Sequence, residues 1–133
     1  MLSSARLQTI VCTARMAEAT KFYEQTLGLR CTSISHGARV YDVGGGELRL
    51  SPVPSTEPTA HTVLGFAVAD LGGVVETLTG RGVSLERFPG FPHDARGVVT
   101  LPDRTRVAWF RDPDGNLLSV VEYAVAQSQE RSK

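Results

Sequence analysis

The chain has 133 residues, 41% of them hydrophobic and 21% charged, as in one ordinary globular domain and unlike a disordered segment. Fourteen Lys and Arg balance fourteen Asp and Glu, which argues against a nucleic-acid partner, since that needs a basic excess on one face. No apolar run approaches the roughly 18 residues that span a bilayer, and the opening "MLSSARLQTIV" lacks the apolar core of a secretory signal, so a cytoplasmic protein without a membrane partner is expected.

In chain order, residues 6–13, "RLQTIVCT", form a predicted strand. In "RMAEATKFYEQTLGL" the period becomes helical, with Met16, Ala19, Tyr23 and Leu27 on one face and Phe22 beside it. Gly28 stands where a helix end favours a left-handed residue. Three short strand-like runs follow, "LRCTSIS", "ARVYDV" and "ELRLSPV", and then the polar, Pro-bearing "PSTEPTA". The order then repeats. "HTVLGFAV" is a strand, Asp70 caps a helix striped by Leu71, Val74, Val75 and Leu78, and Gly82 ends it. "VSLERF", the loop "PGFPHDARG", "VVTL", "TRVAWFR" and "NLLSVVEY" complete the second half, with "DPDGN" as a turn in which Asp112 opens, Pro113 sets φ and Gly115 closes. The expected architecture is therefore α+β, two tandem βαβββ modules forming a cleft-lined mixed β-sheet. The modules cover about 6–53 and 61–123, with a linker over 54–60 and a frayed polar tail over 124–133. Cys12 and Cys31 have no CxxC spacing and are expected as free thiols.

Alternation along strands assigns faces. Leu48, Leu50, Leu64, Phe66 and Val68 are expected under the helices. Gln8, Ile10 and Cys12 share a face of the first strand, and Glu47, Arg49 and Ser51 face the cleft from the fourth. His61, Val63, Gly65 and Ala67 do so from the fifth, while Ser119 shares a face with Leu117, Val121 and Tyr123 in the last.

"FYEQTLGL", the Gly-rich turn before "ELRLSP", "FAVADLGGVVETLTGRGV" and "WFRDPDGNLLSVVE" together resemble the vicinal oxygen chelate superfamily over about residues 6–123. That group includes glyoxalase I, bleomycin resistance proteins, extradiol dioxygenases and fosfomycin-modifying enzymes. The resemblance implies the glyoxalase/bleomycin resistance/dioxygenase-like fold, a cleft and a homodimer, and says little about chemistry, because one scaffold hosts many activities. Metal-dependent members place one His, Gln or Glu ligand on each of four strands. Carried over by motif, those positions are Gln8, Arg49, Val63 and Ser119. Only Gln8 is an accepted ligand type, and shifting register by two residues offers Glu47 and His61 but no full set. A catalytic zinc wants three protein ligands, so no metal and no cofactor are expected.

The candidate ligand-binding residues are Gln8, Glu47, Arg49, His61, Val63, Trp109 and Ser119, with no catalytic residue assigned. Arg49 can clamp a carboxylate or phosphate with its planar fork, or it can form a structural ion pair with Glu47 or another acid. His61 can act as a general base or be a solvated strand end. His36 and His93 are expected as plain turn and loop residues. Trp109, Tyr41, Phe91 and Tyr123 are candidate stacking aromatics, and Trp109 and Tyr123 can equally be core. The leading expectation is a metal-independent binder of a small molecule, a drug or metabolite. The alternative is an isomerase, lyase or glyoxalase-like enzyme working through acid–base side chains or an atypical metal site.

Overall fold

A computed structural model of the chain describes residues 1–124; all but the first residue of the expected frayed tail, 124–133, lies outside them. Ten elements carry the fold. They are β1 (Gln8–Thr13), α1 (Met16–Lys21), β2 (Cys31–Ser35), β3 (Ala38–Val43), β4 (Gly46–Pro52), β5 (Thr62–Ala67), α2 (Leu71–Gly80), β6 (Val99–Thr100), β7 (Arg106–Arg111) and β8 (Leu117–Glu122). The strands make two four-stranded sheets, ordered β1-β4-β3-β2 and β5-β8-β7-β6. In each, the first strand pairs parallel to the last and the other pairs are antiparallel. The α+β architecture of two βαβββ repeats is as expected from the sequence, down to Gly28 and Gly82, which end the helical segments at φ +77° and +89°.

The chain divides into two compact units, residues 1–58 with 112–116, and residues 59–111 with 117 onward. The 54–60 stretch is tied down within them. Thr56 bonds Asp114 in the first unit, while Thr59 accepts from Arg111 and from the Leu117 N–H in the second.

In the first unit, β4 buries Leu48 and Leu50 beside Thr9, Val11, Arg39 and Tyr41. The helical segment differs from a single regular helix. After Lys21 it widens into a π-helical turn, Phe22–Thr26, in which the Leu27 N–H bonds the Phe22 carbonyl. Successive side chains of an α-helix point about 100° apart, yet the adjacent Tyr23 and Glu24 both engage sheet residues. Tyr23 is fully buried and stacks on Tyr41, and Glu24 accepts from Arg39 and from the Tyr41 hydroxyl. Burial and then the Glu24 bond push the Tyr41 hydroxyl up to about 12. Burial works against the Glu24 carboxylate, but the Arg39 and Tyr41 bonds outweigh it and hold that group below its ordinary value. Tyr41 therefore belongs to the core face, not among the cleft aromatics.

In the second unit, Leu71, Val75 and Leu78 of α2 are buried, and the helix packs on β7 and β8. Asp70 caps it through the Gly73 N–H. Glu122, on the α2 side of β8, adds a second cap by accepting from the Leu71 N–H at 2.8 Å. Glu122→Ala should therefore lower thermal stability by about 1 kcal/mol, as losing a helix cap does, measured by a melt against the parent chain. The run "VSLERF" is not a strand. It makes one ladder-type bond, from the Glu86 N–H to the Trp109 carbonyl, and the strand beside β7 is the two-residue β6 instead.

Candidate functional site

Each unit leaves one sheet face uncovered by its helix, and the candidate residues divide between the two. In the first unit, Gln8, Ile10 and Cys12 of β1 stand opposite Glu47, Arg49 and Ser51 of β4, as alternation requires. Gln8 Nε2 donates to Glu47 Oε2, and Arg6 lies 3.5 Å from the other Glu47 oxygen. Glu47 is thus already partnered. Arg49 is half-buried between Ile10 and Val40 on the neighbouring strands. Its guanidinium donates to the Ser35 carbonyl at 3.2 Å, and among the described residues no carboxylate pairs with it. The ion pair with Glu47, left open by the sequence, does not form. A small pocket of about 130 Å³ opens at the end of this face beside Arg6, Thr32, Asp42 and Glu47; drug-sized ligands need about 300 Å³ or more.

In the second unit, Gly65, Ser119 and Trp109 stand side by side on β5, β8 and β7. A methyl group at Gly65 would come within 3.0 Å of the Ser119 Oγ, so the missing side chain makes a shallow step in the sheet beside that hydroxyl. Trp109 forms a wall there. Phe88 and Phe91 place their ring centroids 5.3 and 5.6 Å from it, and His93 lies at 6.2 Å. Phe91 is exposed, leaving this wall open to solvent. Val63 sits in a register shift between Thr62 and Leu64 and is exposed. His61 precedes β5 and lies beyond that bulge, and an extra residue in a strand breaks the alternation that had assigned it to the open face.

His93 is what the sequence reading missed. Both ring nitrogens are engaged: Nε2 accepts from the Phe88 N–H at 2.9 Å, and Nδ1 pairs with the Gly97 carbonyl at 2.7 Å. Its place between two prolines and an Asp-Ala-Arg-Gly turn gave no periodic signal.

The DPDGN turn is the most heavily bonded polar cluster in the first unit. Asp112 Oδ1 accepts from the Asp114 and Asn116 N–H groups, and its Oδ2 accepts from the Tyr23 hydroxyl and the Asn116 amide. Asp114 accepts from the Thr13 and Thr56 hydroxyls and the Ala14 N–H. Burial alone would raise the Asp114 carboxyl, but these bonds and nearby Arg15 hold it below the ordinary range. Every carboxylate oxygen here is committed, so this cluster is structural.

The positions that the family resemblance assigns to metal ligands, Gln8, Arg49, Val63 and Ser119, do not make a metal-binding donor set. Beside Gln8 they hold a guanidinium at Arg49, an isopropyl group at Val63 and a neutral hydroxyl at Ser119. Among the described residues no three His, Cys, Asp or Glu side chains gather into a metal-holding group. No helix of the described residues is long and apolar enough to cross a membrane.

Comparisons agree with the fold and its repeat. An integron cassette protein from the mobile metagenome of V. cholerae is 26% identical, with a TM-score of 0.63 over 91% of this chain and 96% of that one. The fosfomycin resistance protein FosX from Listeria monocytogenes superposes with a TM-score of 0.71 at 13% identity, over 93% and 97% of the two chains. Lactoylglutathione lyase from Agrobacterium tumefaciens does so at 0.69 and 17%, over 90% and 93%. These last two likenesses are of fold. The model of the glyoxalase, bleomycin resistance protein and dioxygenase superfamily matches residues 6–120, and the chain belongs to that superfamily.

Proposed function

We propose that the protein binds a small anionic organic molecule without a metal, sequestering or carrying it, with Arg49 as the charge partner. The observation that carries this reading is the Arg49 guanidinium, half-buried on an open sheet face with only a backbone carbonyl as partner among the described residues. By the motif resemblance it stands at the position where metal-dependent relatives commonly carry a Glu ligand. A cation there repels a divalent ion and attracts a carboxylate or phosphate, which the guanidinium fork matches with two parallel bonds. Charge-assisted hydrogen bonds contribute about 1.5–3 kcal/mol, so Arg49→Ala should weaken binding about ten- to a hundredfold in a calorimetric titration. Ser119→Ala, which removes one hydroxyl beside Trp109, should cost about 1 kcal/mol or less. Unchanged affinity in Arg49→Ala would remove the anion clamp.

The Gln8–Glu47 pair favours a second reading. Two oxygen-bearing side chains of the types used by metal-dependent relatives are in contact there, which suits an isomerase, lyase or glyoxalase-like enzyme with an atypical site. Elemental analysis giving near one metal per chain, lost in Gln8→Ala or Glu47→Ala, would select it. In either reading the chain acts in the cytoplasm as a homodimer, the commonest closed assembly, and a monomer mass by light scattering at micromolar concentration would contradict the pairing.

A further inference from the structure

The loop of residues 88–97 is fastened from inside by one imidazole. The Phe88 N–H points at His93 Nε2, so that nitrogen holds a lone pair and the ring proton sits on Nδ1, where it is donated to the Gly97 carbonyl. The ring thereby holds the Phe88 end of the loop to its Gly97 end and packs both phenyl rings about Trp109. A second proton, on Nε2, would set one N–H against another and remove the Phe88 bond.

We infer that neutral His93 is the latch that positions Phe88 and Phe91 against Trp109, and that its protonation releases the Phe88–Phe91 stretch of the loop from the open face of the second sheet, while His93 itself stays bridged to Val99. The rest of the loop has its own fastening. Asp94 Oδ1 accepts from the N–H groups of Arg96, Gly97 and Val98, and Arg87 donates to the Ala95 carbonyl. Burial opposes the Asp94 charge, but those backbone bonds hold its carboxyl below the ordinary range, so it stays ionised while a histidine titrates.

The charged groups on the segments near His93 are paired or placed elsewhere. Glu86 pairs with Arg111 at 3.0 Å, Arg96 lies 3.9 Å from Glu76, and the Arg106 guanidinium sits by Gly72 at the start of α2. β6 carries no charged residue. None of these carboxylates is bonded to the imidazole, so a gained proton finds no acid to replace the lost Phe88 bond. The sign follows: the latch is present at neutral pH and lost on acidification.

As a control of ligand access, this latch rests on the small-molecule reading; as a property of the loop, it does not. The test is therefore made without ligand. Trp109 is the only tryptophan, so its emission and its quenching by acrylamide report the wall directly. On acidification from neutral pH, short of acid unfolding, emission should shift to the red and quenching should rise in a one-proton step. His36→Asn and His61→Asn should keep that step. His93→Gln, which retains a donor and an acceptor but cannot titrate, should abolish it and stay protected. His93→Phe, which keeps a ring without either bond, should be quenched at every pH. A step that persists in His93→Gln, or a flat Trp109 signal down to acid unfolding, overturns the inference. Should His93→Gln fail to fold, amide NMR of the parent chain decides: the Phe88 amide shift must follow the His93 ring titration, and an unmoved Phe88 amide is the contrary result.

Discussion

Asp114→Ala should lower the stability of the protein by about 3 kcal/mol, and its melting temperature by roughly 10 °C. The carboxylate is 6% exposed and accepts from the Thr13 and Thr56 hydroxyls and the Ala14 N–H. Its removal leaves those donors facing a methyl group; an unsatisfied buried donor, as the Thr13 hydroxyl becomes, costs about 1–3 kcal/mol, and the more exposed Thr56 and Ala14 donors add less. Asp114→Asn keeps one oxygen and should lose less. The charge itself has a pH signature. The folded carboxyl lies below its ordinary value, so its contribution is complete above the unfolded value of about 3.9 and disappears as pH falls through the folded one. The stability gap between the parent chain and Asp114→Asn should therefore close below about pH 4. A chemical denaturation series at several pH values reads both effects. An Asp114→Ala melt within 2 °C of the parent, roughly half a kcal/mol, would mean that the turn is not the anchor described.

Leu50→Ala should cost about 2–5 kcal/mol, the range for emptying a close-packed site. Leu50 is fully buried between Val11 on β1 and Arg39 on β3. Its neighbour Arg49 points to the opposite face, so Arg49→Ala should leave the melting temperature nearly unchanged while reducing ligand affinity. Adjacent residues of one strand thus have opposite phenotypes, one of stability and one of binding. Equal destabilisation by both changes would show that the face assignment of β4 is wrong.

Much of the fold was legible because periodicity survives without knowledge of partners. The alternation of Leu48 and Leu50 with Glu47 and Arg49, the Leu71–Val75–Leu78 stripe, and the matched Gly28 and Gly82 each state a local preference that the tertiary structure satisfies. What was illegible depended on contacts far away in sequence. "VSLERF" has the composition of a strand, but β7 offers it one bond beyond the short β6. The widened turn at Phe22–Thr26 goes with a bond donated by the Tyr23 hydroxyl to Asp112 and one that Glu24 accepts from Arg39. Strand alternation reaches His61 only through a bulge that no residue type at Val63 announces, and the burial of Tyr41 rests on Tyr23 and Glu24, which lie on a different element. At the candidate site, Arg49 and Ser119 were readable as departures from the family pattern. The latch at His93 was not, because its partners are a backbone N–H and a carbonyl, which carry no sequence identity.

The central claim, ligand binding that needs no metal, is met most directly by native mass spectrometry of the protein purified without chelator. The expected spectrum shows chains, or pairs of chains, carrying an organic adduct that Arg49→Ala retains poorly, with no metal mass. A spectrum in which each chain carries one divalent metal, removed by chelator together with the organic adduct, would contradict it.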